Sequence, residues 1–235
     1  MDSINKVKSI TLWIFVVPFF AINACLILIT HFHELFSNND ILSNTIPYFD
    51  GGASISRTAR VFPTYLIFKP AMFLTAYLLI KYWIHNKKIV SSIYGEHKHI
   101  KKFLFFGIAS AICLVLHSIF LGIKYDYDLY KLFRRVIMLM FIIFEIAAQA
   151  YLVAVLYSFR KKLFNFINHK ILIAKIILVS CLIIVAIISI PIISLPGDNF
   201  FGFSLKSFKH ALEWNYFVGV ISFYLLTFFM WKKQS

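Results

Sequence analysis

The chain has 235 residues, of which 60% are hydrophobic and 14% charged, with a mean hydropathy of +0.80 and a net charge of +14. A charged share this far below the ~25% of soluble domains excludes a soluble globular protein and predicts a multi-pass integral membrane protein, a single domain over 1–235. The Lys and Arg residues stand between apolar runs and form no basic domain, which argues for topology and against a nucleic-acid partner.

Six segments reach the ~20 apolar residues that a span needs: 9–30, 64–84, 103–123, 136–158, 171–195 and 210–231. The predicted fold is an all-α membrane protein, a bundle of six transmembrane helices. The opening "MDSINKVKSITLWIFVVPFFAINACLILIT" has an apolar run longer than that of a signal peptide and no small-x-small cleavage site, so it reads as a retained first span. Positive charge gathers in "MDSINKVK", "KYWIHNKKIVSSIYGEHKHIKK", "SFRKKLFNFINHK" and "WKKQS", whereas the long loop after the first span mixes Glu34, Asp40 and Asp50 with Arg57 and Arg60. The positive-inside rule then places both termini in the cytoplasm, N-in and C-in. The loop "KYDYDLYKLFRR", with Lys124, Lys131, Arg134 and Arg135, runs against that trend. The basic loops are candidate contacts for anionic lipid or for protein partners.

The first long loop reads "IPYFDGGASISRTARVFPTYLIFKP" over 46–70. Gly51 and Gly52 after Asp50 permit positive φ and a sharp turn. Asp50, Ser54, Ser56, Arg57, Thr58 and Arg60 supply acceptors, hydroxyls and guanidinium groups suited to a phosphate or a sugar-bearing headgroup. The alternative is a polar loop that only caps the bundle.

Polar side chains inside spans are costly, so their depths carry information. At 1.5 Å per residue, Asn23 lies about 10 Å from the outer end of its span, Lys69 about 8 Å, His117 about 9 Å, Glu145 about 13 Å and Glu213 about 5 Å. All five fall in the outer half, which predicts a polar pocket there. Glu145 would be the deepest member, Gln149 would sit one turn further along, and Lys69 and His117 would be the partners of Glu145. Lys175, one turn into the fifth span, is expected to snorkel to the inner surface, and the aliphatic remainder of that span to face lipid. His210 and Glu213 stand three apart on one helix face, a spacing that supplies two metal ligands and that His117 would complete. Trp214 and Tyr216 are expected in an interfacial aromatic belt. The 27 Phe and 12 Tyr against 8 Gly predict aromatic spans facing lipid and few close helix crossings. Cys25, Cys113 and Cys181 lie in apolar segments and imply no disulfide.

The motifs GxSxG, HExxH and CxxC and a phosphate-cradling glycine loop are all missing from the sequence, so no enzyme is established and neither a cofactor nor a metal is expected. The stretches "PYFDGGASIS", "FPTYLIF" and "HALEW", with six spans, resemble the Frag1/DRAM/Sfk1 family. That resemblance implies lipid handling. The expected function is therefore to bind or remodel a membrane lipid through the outer-half pocket, with site residues Asp50, Ser54, Ser56, Arg57, Arg60, Lys69, His117, Glu145, His210 and Glu213. Two other readings stand beside it: a small transporter or channel component using an intramembrane Glu/His pair, and a metal-dependent membrane lipid hydrolase.

Overall fold

Apolar runs of this length, in a solvent that offers the backbone no hydrogen bonds, leave helix as the economical conformation. The computed structural model describes residues 2–37, 40–42, 45–95, 98–123, 127–194, 199–200 and 203–232. It contains α1 (Asp2–His31), α2 (Ile55–Ala59), α3 (Tyr65–Tyr94), α4 (Lys98–Phe120), α5 (Asp128–Ser158), α6 (His169–Ser194) and α7 (Leu205–Met230). A two-residue antiparallel ribbon, Asn199–Phe200 with Phe203–Ser204, precedes α7. All helices but α2 are long and apolar enough to cross a membrane, as the six expected spans require.

Helix ends depart from the apolar boundaries where the sequence holds or lacks a breaker. The expected second span ends at 84, but no Gly or Pro follows in α3 between 84 and Gly95, whose φ of 73° stops the helix as its N–H donates to the Ser91 carbonyl. Similarly, α5 begins at Asp128, well before 136, because an acidic residue in the first turn and the helix formers of "DLYKLFRR" extend it into the polar region. Expectations for Lys124 and for residue 195 at the end of the fifth span lie outside the described residues.

The six long helices close into a ring in chain order. α1 packs on α3, α3 on α4, α4 on α5, α5 on α6, α6 on α7, and α7 returns to α1, with α5 against α6 the sparsest of these contacts. Both termini lie at one end of the ring. Lys8 Nζ donates to the Trp231 carbonyl at 3.1 Å, Asn168 N–H donates to Met230 O at 2.8 Å, and Lys232 N–H donates to Phe166 O at 2.9 Å.

The largest fully buried side chains include Tyr82, Trp83, Phe103, Trp214, Phe223, Tyr224 and Trp231, while Trp13, Phe20, Phe73, Tyr77, Phe105, Phe133 and Phe229 are exposed on the long helices. The expected outward-facing aromatics are present, and the expectation is corrected only in that a second set of rings packs inside the bundle. Two glycines do permit close contact: a Cβ on Gly107 would lie 2.4 Å from the Trp83 ring, and one on Gly219 would lie 2.9 Å from Leu182 Cδ2. The aliphatic residues of α6, such as Ile177 and Ile187, are exposed as expected.

Lys175 is a second correction. It is buried, and its Nζ donates to Thr227 Oγ1 at 2.6 Å while lying 3.8 Å from the centre of the Phe223 ring. It turns into the α6–α7 contact, where an acceptor and an aromatic face replace part of its hydration.

Candidate functional site

The loop after α1 is fastened to the start of α7, and the residues responsible come from the two most distinctive stretches of the sequence. Asp50 organises the loop by accepting from Thr45 Oγ1 at 2.6 Å, Ile46 N–H at 2.8 Å and Gly52 N–H at 2.8 Å. Desolvation pushes this carboxyl upward, but the three hydrogen bonds outweigh it and hold the group below its ordinary value. Gly51 has φ of 61°, and a Cβ there would stand 1.7 Å from the Ser207 carbonyl oxygen, so glycine lets the loop lie directly on the first turn of α7. Gly52 does not share the positive φ expected for the pair.

From α7, His210 Nδ1 bonds the Gly51 carbonyl at 2.9 Å, Trp214 Nε1 donates to Ala53 O at 2.8 Å, and Asn215 Nδ2 donates to Tyr48 O at 2.8 Å. Tyr48 packs edge-on against Trp214, with centroids 4.9 Å apart, and its hydroxyl donates to Asn23 Oδ1 at 3.1 Å. Burial lifts the Tyr48 phenol above its ordinary value. Ser54 caps α2 by accepting from Arg57 N–H, and the Glu213 carboxylate lies against the N–H groups of Ile55 and Ser56 at the same helix start. His210 and Glu213 thus hold the loop, and Trp214 is a buried anchor instead of a member of an interfacial belt. Among the described residues no three His, Cys, Asp or Glu side chains gather as metal ligands, and His117 does not join His210 and Glu213.

Behind α2 the ring encloses a half-open cavity of about 330 Å³. Its wall is mostly aliphatic and aromatic, drawn from all six long helices, and Ile55 of α2 covers part of it. Along α7 it runs from Lys209 to Tyr224, about 22 Å at 1.5 Å per residue. Lys209 and Glu213 lie at the end near the loop, His117 lies on the wall, and Glu145 and Tyr224 lie at the inner end. Glu145 is 1% exposed. Its Oε2 accepts from Ser110 Oγ at 2.6 Å, and its Oε1 accepts from Gln149 Nε2 at 3.1 Å and from the Tyr224 hydroxyl. Gln149 also donates to the Val220 carbonyl at 3.3 Å, tying α5 to α7. A carboxyl group fixed by donors from α4, α5 and α7 is a preorganised polar point in an apolar chamber.

The structure unites some of the expected site residues and separates others. Glu145, His117 and Glu213 share the cavity, and Gln149 lies beside Glu145 as its position one turn on implies. Lys69 is not a partner of Glu145: its Nζ donates to the Ile119 carbonyl at 3.3 Å, at the carbonyl-rich end of α4, and sits over the Tyr65 ring. His117 does not hydrogen-bond Glu145 either, and its Nδ1 is buried without a hydrogen-bond partner. Asp50, Ser54 and Ser56 are absorbed in loop structure, with Ser54 and Ser56 hydroxyls 3.3 Å apart. Arg57 lies near His210, whereas Arg60 faces a separate cleft together with Arg134.

Ser110, Tyr224, Lys209 and Arg134 escaped the sequence reading. Ser110 and Tyr224 would have been found had hydroxyl groups within spans been counted beside charged ones. Arg134 lies ahead of the apolar run of its span, so hydropathy alone places it in a loop, whereas α5 includes it. Comparison of the chain with family models, with curated proteins and with solved structures yields no match.

Proposed function

We propose that this integral membrane protein binds a membrane lipid, with the acyl region in the ring cavity and Glu145 at its inner end. The observation that carries the reading is the cavity itself: an apolar chamber of about 330 Å³, within the size range of small-molecule sites, ending on one fixed carboxyl group. An inorganic ion or a sugar would find little to bind along such walls, whereas an alkyl chain would bury against them. The α5–α6 seam, the loosest in the ring, offers a sideways route, since Leu139 of α5 and Ala186 of α6 both line the cavity. By the positive-inside rule the termini face the cytoplasm in this reading, and the docked loop and cavity lie in the outer or lumenal half. Lipid handling is also what the resemblance to the Frag1/DRAM/Sfk1 family implies.

Mass spectrometry of lipids retained by the protein in mild detergent tests the reading, with Ala186→Trp to fill the cavity and Glu145→Gln to alter its inner end. Enrichment of one lipid class in the wild type, lost in Ala186→Trp, is expected. The same bulk lipids in all three preparations would overturn it. A second reading, an ion- or proton-coupled carrier, is favoured by the presence of Glu145 and His117 in one cavity. Gradient-dependent flux in liposomes, abolished by Glu145→Gln, would select it.

A further inference from the structure

Outside the ring cavity, at the end of the bundle that carries the docked loop, lies a cleft of about 470 Å³. Arg60, at the C-terminal end of α2, and Arg134, in the second turn of α5, both line it. The turn after α4 sets their separation. Gly122, at φ of 88°, lies so close that a Cβ would be 3.0 Å from the Arg60 carbonyl oxygen, so this turn packs against the end of α2. Arg134 Nε is shielded from solvent and has no hydrogen-bond partner, although its guanidinium lies 6.0 Å from the centre of the Tyr130 ring. A buried guanidinium N–H without an acceptor is costly, and an arriving anion would relieve that cost.

The cleft keeps its positive character. Asp40 is the carboxylate in its wall, and it accepts from Ser37 Oγ at 2.6 Å within its own turn. Among the described residues no carboxylate lies within ion-pair distance of Arg60 or Arg134, the observed pair being Lys131 with Asp128 on the exposed start of α5. His117, which lines the ring cavity, is close enough to Arg134 to interact with it electrostatically. Arg134 stands 11 residues before Glu145 on α5, about 17 Å nearer the loop end.

We infer that Arg60 and Arg134 form a binding site for a phosphate group, such as that of an anionic lipid headgroup at the membrane surface. Two guanidinium forks on separate elements suit the several oxygens of a phosphate, to which each can donate in parallel. Lysine-like point charges or a lone helix end would not supply such directionality. The site stands apart from the cavity reading: it requires an anion at the cleft and does not require an acyl chain beside Glu145.

The test uses the full chain in neutral detergent. Native mass spectrometry measures binding of phosphatidylglycerol against phosphatidylcholine, and thermal unfolding is followed with and without inorganic phosphate. The proteins are the wild type, Arg60→Gln, Arg134→Gln, the double variant, and Arg135→Gln as the control, an exposed arginine beside Arg134 that does not line the cleft. Wild type is expected to prefer phosphatidylglycerol, each single variant to lose about tenfold in its affinity, and the double variant to lose the preference. Arg135→Gln should keep it. Stabilisation of wild type by inorganic phosphate, absent in the double variant and without preference between the lipids, would assign the same site to a free phosphate. A wild type that shows neither effect, or a double variant that keeps both, would overturn the inference. Ala186→Trp, which fills the ring cavity, should leave the headgroup preference in place, so an empty cavity and an empty cleft give different results.

Discussion

Replacing Gly51 with Ala should undock the loop from α7. The new Cβ would stand 1.7 Å from the Ser207 carbonyl oxygen and 2.8 Å from its Cα, and this is backbone in the first turn of a long helix, which cannot retreat. The loop must lift instead. Lifting it breaks the His210 bond to Gly51 O and the Trp214 bond to Ala53 O, each worth about 1 kcal/mol. The positive φ adds about 1 kcal/mol for a residue with a Cβ. Asn215 loses least, because its amide already shares a second acceptor, Ala211 O. The sum of about 3 kcal/mol corresponds to about a hundredfold increase in the open population. Hydrogen exchange at the Arg57 and Thr58 amides, both bonded to Ser54 O within the loop, reads that population directly. Gly52→Ala is the comparison: its Cβ would meet Thr45 Oγ1 at 2.3 Å, a side chain that can turn away at the expense of its bond to Asp50. Equal or greater loss of protection in Gly52→Ala would refute the reasoning.

Three further outcomes are expected. Lys175→Met should leave thermal stability unchanged or raised, since it removes a buried amino group whose partners are a hydroxyl and a ring, whereas Thr227→Val should cost about 1–3 kcal/mol by depriving that group of its acceptor. A lower melting temperature for the Lys175 variant would contradict this. Gly107→Ala should lower the melting temperature far more than Gly219→Ala, because the first Cβ meets the buried Trp83 ring at 2.4 Å and the second only the end of Leu182. Asp50 is held below its ordinary carboxyl value, so its contribution to loop order is present above about pH 4 and is lost as the pH falls through the folded value. Protection at Arg57 and Thr58, taken as the observed exchange rate against the intrinsic rate at each pH, should therefore fall on acidification in the wild type and not in Asp50→Asn; matching protection profiles would exclude Asp50 as the cause.

The spans were legible because hydropathy acts locally, and all six apolar runs became helices. Their ends were less so: α3 and α5 run past the apolar region since water stops a helix less effectively than Gly95 does. Depth along the chain puts Asn23, Lys69, His117, Glu145 and Glu213 in the outer half, and of these His117, Glu145 and Glu213 line the cavity, yet depth leaves rotation about the helix axis undetermined. That is why Lys69 was assigned to Glu145 when it reaches the end of α4, and why Lys175 was assigned to the surface when it turns toward Thr227. The match between the "PYFDGG" and "HALEWN" stretches is a long-range pairing, formed by Gly51, Tyr48, His210, Trp214 and Asn215, and no periodicity in either segment announces it.

A ring whose neighbours in space are neighbours in the chain also has an assembly order. Each new long helix finds its partner in the long helix made before it, so successive pairs can form with little search, the first across the long loop that holds α2 and the rest across shorter connections. The contact of α7 with α1 is the exception, since it joins helices far apart in the chain and waits until α7 has been made. Five helices without α7 leave the ring unclosed. The chamber containing Glu145 and the anchorage of the loop both use α7, so they arise together once it is in place, and a nascent chain stalled before α7 has neither.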